Sequence, residues 1–159
     1  SAAARRAGCT GANWGQPMMQ SRFAAERTDH IDSSTGANVI QWTAGPSNNQ
    51  HLYFTSASVT ADDRWLTILS DRTGSPNLFA IDRRDGTIRQ VSNNDRGLLR
   101  SYVYPQGGLA GLSKASPCLD PRGNRLFYIR DDKVFAVDLN DMNAAEQKIC
   151  DLPPHWYGA

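Results

Sequence analysis

An all-β fold is predicted for this 159-residue chain by three observations. The first is an internal repeat. Leu78-Phe79-Ala80-Ile81-Asp82 is answered 56 positions later by Val134-Phe135-Ala136-Val137-Asp138. Thr60-Ala61-Asp62-Asp63-Arg64-Trp65-Leu66 aligns with Asp120-Pro121-Arg122-Gly123-Asn124-Arg125-Leu126 at an offset of 60. The second is a recurring turn. Asp32-Ser33-Ser34-Thr35-Gly36 returns 50 positions on as Asp82-Arg83-Arg84-Asp85-Gly86, each time ahead of a β-rich run. The third is periodicity, because the apolar runs are short, alternate at period 2 and leave no amphipathic helical window. A repeat of this size, made of short strands and tight turns, marks the blade of a β-propeller. One blade cannot bury both of its faces, so blades are stable only when stacked against neighbours.

The elements follow in order. Residues 1–31 show neither period and read as an irregular N-terminal arm, with Met18, Met19 and Phe23 as docking points. Residues 32–159 read as a partial β-propeller. The turn at 32–36 and the run 39–43 give an extra outer strand, isolated or at an edge. Blade one covers about 51–92, with strands near 52–59, 65–70, 77–82 and 87–92. Blade two covers about 115–151, with strands near 115–119, 125–130, 133–138 and 146–151. Its central hairpin is shorter by four residues. A third blade begins at His155-Trp156-Tyr157. A small β-sandwich is the alternative, but identities as well as spacing carry the repeat. The core is expected from Leu66, Ile68, Leu78, Phe79, Ile81, Leu126, Tyr128, Val134, Phe135 and Val137.

Composition narrows the function. The net charge of +1 argues against nucleic acid or a charged membrane surface as partner. No apolar run approaches the roughly 20 residues of a membrane span. Cys9, Cys118 and Cys150 are odd in number and contain no CxxC, which argues against a disulfide framework or a zinc site. Cys118 and Cys150 fall in predicted strands and are expected to be buried. His30, His51 and His155 have no carboxylate at ligand spacing, so no metal site is expected within the chain. No nucleophile elbow, zinc-protease helix or phosphate loop is present.

Blade strands alternate in direction. The connection into each inner strand and the hairpin between the second and third strands therefore emerge on one face. That face collects Asn48, Asn49, Gln50 and His51, then Asp71, Arg72 and Thr73. It also collects the connection 93–113 with Arg96, Arg100, Tyr102, Tyr104 and Gln106, which exceeds the usual loop length. Each has a plainer reading: Asp71-Arg72 as a simple turn, His51 as a half-buried histidine, the two tyrosines as strand packing.

The strings Gln50-His51-Leu52-Tyr53-Phe54-Thr55, Ser70-Asp71-Arg72-Thr73-Gly74 and Asn77-Leu78-Phe79-Ala80-Ile81-Asp82, after the turn at 32–36, resemble the opening of oligogalacturonate lyases. These are seven-bladed propeller enzymes of pectin breakdown. The likeness covers about residues 26–159; its Ser-Asp-Arg-x-Gly hairpin is shared with TolB-type propellers and with the propellers of prolyl-oligopeptidase relatives. It implies β-elimination on a small acidic oligosaccharide. A base takes the C5 proton of a galacturonate while the bond from C4 to its oxygen breaks. A divalent, manganese-like metal stabilises the charge that develops on the carboxylate. In the family the metal ligands and the base lie in later blades, so no catalytic or metal role passes to a residue of this chain. What the resemblance implies here is sugar binding by His51, Tyr53 and Arg72. The competing readings are a non-catalytic TolB-like module that binds a protein or peptide, and a gating propeller of a serine peptidase. Unpaired blade faces also make a second copy of the chain a candidate partner.

Overall fold

Two antiparallel sheets stand side by side with a short ribbon beside the first. The computed structural model describes residues 21–96, 112, 116–141 and 143–153. Among these there are eleven strands and no helix. The first sheet holds β1 (Arg22–Phe23), β4 (Asn49–His51), β5 (Trp65–Ser70), β6 (Asn77–Asp82) and β7 (Ile88–Gln90), in the order β1-β7-β6-β5-β4. The second holds β8 (Cys118–Leu119), β9 (Arg125–Arg130), β10 (Lys133–Asp138) and β11 (Gln147–Asp151), in the order β11-β10-β9-β8. The ribbon pairs β2 (Thr28–Ile31) with β3 (Asn38–Gln41). In both sheets the chain meanders from one edge to the other, as in a propeller blade whose first strand is innermost. The sheets are part of a propeller and are not closed into a ring.

The second and third strands of each blade stand where the repeat places them. Four features differ. The stretch read as irregular contains β1 and β2. The outer strand β7 presents an unpaired edge, and β1 takes it up through Arg22–Arg89 and Phe23–Ile88 pairing. A two-residue strand is too short to show a period, and β2 is exposed at all four positions, so no burial pattern marks it. The extra strand at 38–41 is an edge strand, as expected, but it pairs with β2 in a ribbon of its own. The inner strand of blade one is β4, three residues earlier than expected. Cys118 and Cys150 lie in strands but are exposed, because they sit on a face of sheet two with little described structure above it. The third blade expected from 155–157 lies outside the described residues.

The recurring Asp-x-x-x-Gly turn is real in both places. The Gly36 amide donates to the Asp32 carbonyl at 2.8 Å, and the Gly86 amide to the Asp82 carbonyl at 2.7 Å. Both glycines have positive φ, +72° and +79°, where a side chain would be strained. At Gly86 a Cβ would also stand 3.0 Å from the Ala25 Cβ.

The core has two parts. Trp65, Leu69, Leu78 and Ala80 of sheet one meet Leu126, Tyr128, Phe135 and Val137 of sheet two. On the other side of sheet one, Ile68, Phe79, Ile81 and Ile88 are covered by Phe23 and Trp42 from the N-terminal segment. Of the ten expected core residues, eight are buried; Leu66 and Val134 are partly exposed. Burial of this kind is the main stabilising term, on the order of 25 cal/mol per Å² of apolar surface. Polar groups join the sheets too. The buried Arg89 guanidinium donates to the carbonyls of Leu139 at 2.9 Å and Asp141 at 2.6 Å. It lies 5.3 Å from the Trp65 ring centre.

Candidate functional site

The start of β4 and the hairpin between β5 and β6 emerge at the same end of sheet one, and there they lock together. The Asp71 carboxylate accepts from the Asn48 amide at 2.8 Å and from Asn48 Nδ2 at 2.7 Å. In return the Asp71 amide donates to the Asn48 carbonyl at 3.3 Å. Arg72 is the hub of this rim. Its Nε donates to Ser70 Oγ at 3.2 Å, one terminal nitrogen to Asn49 Oδ1 at 3.1 Å and the other to Glu26 Oε1 at 3.0 Å. Its guanidinium carbon stands 5.3 Å and 5.2 Å from the ring centres of Phe23 and Phe79. The side chain is only 4% exposed.

Arg72 therefore differs from the open fork expected of a residue that grips a ligand carboxylate. Its planar donor set is committed within the chain. Glu26 completes the rim by accepting from the amides of Ala44 at 3.0 Å and Gly45 at 3.1 Å. Burial works to raise its pKa. The two amides and the Arg72 charge outweigh burial and hold the carboxyl below its ordinary value. Sequence placed Arg72 at the right end of the blade. Its partner Glu26 is 46 residues away, and no local signal joins the two.

The inner edge of the sheet carries the other two candidates. Asn49, Gln50 and His51 pair with Ser70, Leu69 and Ile68. Pairing with β5 then resumes at Ser58, whose carbonyl accepts from the Thr67 amide at 2.7 Å, and at Val59, which bridges Leu66. Ile68 and Thr67 are consecutive on β5, so residues 52–57 are an excursion from the inner edge. Its base is tied by the Leu52 amide donating to Ser58 Oγ at 2.9 Å. Leu52 is fully buried between the sheets. A turn closes over the tip, where the Ser56 amide donates to the Tyr53 carbonyl at 2.8 Å. His51 is exposed, with Nδ1 2.5 Å from the Leu52 carbonyl oxygen; a carbonyl only accepts, so that nitrogen carries the proton. Tyr53 is half-buried and its ring lies 4.3 Å from that of Phe54. Phe54, 78% exposed, was not singled out by the sequence. Its signal was present in two adjacent aromatics, since period 2 places one of them on each face.

The long connection starts from a buried polar knot. Asn77 Oδ1 accepts from Ser92 Oγ at 2.9 Å and from the Asn94 amide at 2.7 Å. Arg96 is exposed beside Asp95 and Asp131. Arg100, Tyr102, Tyr104 and Gln106 lie outside the described residues. On sheet two, Arg130 forks onto Glu146 at 2.6 and 2.7 Å and sits 4.4 Å over Phe135. The Tyr128 hydroxyl also donates to Glu146. Burial, then the Glu146 charge, pushes the Tyr128 pKa up, so it stays a neutral donor. Among the described residues no three histidine, cysteine or carboxylate side chains converge as a metal site.

No family model matches the chain, and neither does any curated protein. Solved structures do match it. An oligogalacturonate lyase in complex with manganese matches with a TM-score of 0.63 at 21% identity, over 84% of this chain and 31% of its own. The oligogalacturonate lyase of Vibrio parahaemolyticus gives a TM-score of 0.62 at 18% identity, over 85% of this chain and 32% of its own. The chain has the fold of part of these lyases. It spans about a third of their length, and at these identities the likeness is one of fold.

Proposed function

We propose that this chain supplies sugar-binding blades to an enzyme like oligogalacturonate lyase, and that the elimination chemistry is carried by residues beyond it. The observation that supports this is the fold match, which takes in more than four fifths of the chain and two separate lyase structures. In this reading His51 and Tyr53, on and just after the inner strand β4, are the residues that meet the hydroxyls of an acidic oligosaccharide. Arg72 acts one step back. It holds Asn49, Ser70 and Glu26 in place, so that the inner strand enters at a fixed position. A manganese-like metal would supply charge stabilisation at the galacturonate carboxylate. The described residues do not fit such an ion, so no step is assigned to them through it.

Trigalacturonate tests the reading. The chain is expected to bind it, seen as shifts of His51 and Tyr53 ring resonances, and to release no 4,5-unsaturated product by ultraviolet absorbance, with or without manganese. A longer protein containing the chain is expected to be a metal-dependent lyase. His51→Ala and Tyr53→Ala are each expected to weaken binding several-fold, on the scale of one hydrogen bond. Elimination by the chain alone would overturn the division of labour. A longer protein that is inert on oligogalacturonate but captures a peptide would favour the binding-module reading instead.

A further inference from the structure

We infer that the excursion at 52–57 is a stacking platform for a pyranose ring, with Phe54 as its working surface. This rests on the sugar-binding reading above. Three observations carry it. The excursion leaves the sheet at its innermost strand, between residues that face Ile68 and Thr67, consecutive positions of β5. An interruption there is not a fold requirement, because the same level of sheet two has none. Cys118 and Leu119 pair with Phe127 and Leu126, and the Ile129 amide donates to Ser116 Oγ at 2.9 Å, two residues along on both strands. Further along the same edge Leu112 bridges Arg130, and the residues between Leu112 and Ser116 lie outside the described residues.

The excursion is also held rather than loose. Leu52 is sealed in the core at one foot, Ser58 ties both feet, and a turn closes the tip. What it presents is aromatic. Phe54 is 78% exposed, the most exposed large apolar side chain among the described residues, and Tyr53 braces it at 4.3 Å with a 45° tilt. A large apolar ring held in water on a fixed support offers a flat face on which another apolar face can stack.

Sugar chemistry fits such a ring. In the galacto configuration the 4-hydroxyl is axial, so the C3, C4 and C5 hydrogens gather on the opposite face and make it apolar. That face stacks on an aromatic ring while the hydroxyls and carboxylate remain at the edge for polar partners. Stacking covers the C5 hydrogen. The stacked residue therefore cannot be the one that loses that proton, and the platform serves a sugar flanking the reacting one.

The experiment is a titration of the chain and of Phe54→Ala and Phe54→Trp with trigalacturonate and with neutral galactotriose, followed by saturation transfer to the sugar hydrogens. Phe54 is exposed, so neither variant is expected to unfold, and amide spectra check this. The expected result is about tenfold weaker binding for Phe54→Ala, retained binding for Phe54→Trp, and transfer strongest at C3, C4 and C5 hydrogens. Trigalacturonate binding that is unchanged in Phe54→Ala overturns the platform and leaves the sugar-binding reading standing. Binding of the neutral trimer alone, lost in Phe54→Ala, supports the platform and overturns the acidic-substrate reading. Failure to bind either sugar overturns both.

Discussion

Blade one and blade two carry nearly the same third strand, yet β6 is buried at all six positions and β10 only at Phe135, Ala136 and Val137. Neighbours make the difference. Phe79 and Phe135 occupy the same place in the repeat and face the same way, toward the preceding structure. For Phe79 that structure is Phe23 and Trp42; for Phe135 it is blade one. On the opposite face, Leu78 and Ala80 are covered by blade two. Their counterparts Val134 and Ala136 share a face with Phe127 and Ile129, both only partly buried. A blade's stability thus resides as much in its neighbour as in its own sequence.

The sharpest way to break this comparison is to truncate equivalent positions. Phe79→Ala and Phe135→Ala are each expected to cost ~3–5 kcal/mol in urea titration. Val134→Ala, on the less covered face, is expected to cost about 1 kcal/mol or less, because less contact is lost. Equal losses at Phe135 and Val134 would mean that the two faces of blade two are equally packed.

A second comparison concerns the arginines. Each blade seats one over its third-strand phenylalanine and pairs it with a glutamate. Blade two does so with Arg130 and Glu146, both its own. Blade one borrows Glu26 from the N-terminal segment. Arg72→Ala is expected to cost about 3 kcal/mol, since it strands a partly buried carboxylate. It should also speed amide exchange at Arg22 and Phe23, whereas Arg130→Ala should leave those amides protected. Release of β1 by Arg130→Ala would dissolve the distinction.

Acid is a further test of the Arg72–Glu26 pair. The Glu26 carboxyl is held below its ordinary value of 4.5, so it binds a proton more weakly folded than unfolded. Its contribution is fully present above that value and is lost as pH falls through the lower folded value. Protection of the Ala44 and Gly45 amides is expected to fall in that window. In Glu26→Gln the acid-dependent part should vanish. Protection independent of pH in the parent chain would show that those amides have another acceptor.

Much of this was legible in the sequence, and the limits are physical. The strands β5, β6, β9 and β10 were readable because repeat identities and period 2 agree. The excursion was not. Residues 52–59 alternate well enough to read as one strand of eight. Only the partner shows otherwise, since β5 offers Thr67 and Leu66 beyond the residue that faces His51. The rim was half legible. Strand direction predicted that Asn48, Asn49, Asp71 and Arg72 share an end, but the occupation of Arg72 by Glu26 is tertiary. The exposure of Cys118 and Cys150 was misread for a similar reason, as a strand position says nothing of what covers it.

The thiols give the mildest test of the comparison. Cys118 pairs across from Phe127, and Cys150 from Val134, so both lie on the less covered face of sheet two. Both are exposed, although desolvation raises the Cys118 pKa and slows its thiolate chemistry. In the native chain a thiol reagent is expected to label Cys118 and Cys150 without denaturant, Cys118 needing a higher pH than an ordinary thiol. Serine at either position is expected to change stability by less than about 0.5 kcal/mol, the usual range for surface substitutions. If Cys118 reacts only after unfolding, or Cys118→Ser costs as much as a core truncation, then this face is packed in solution. The contrast between the blades would then be one of sequence rather than of neighbours.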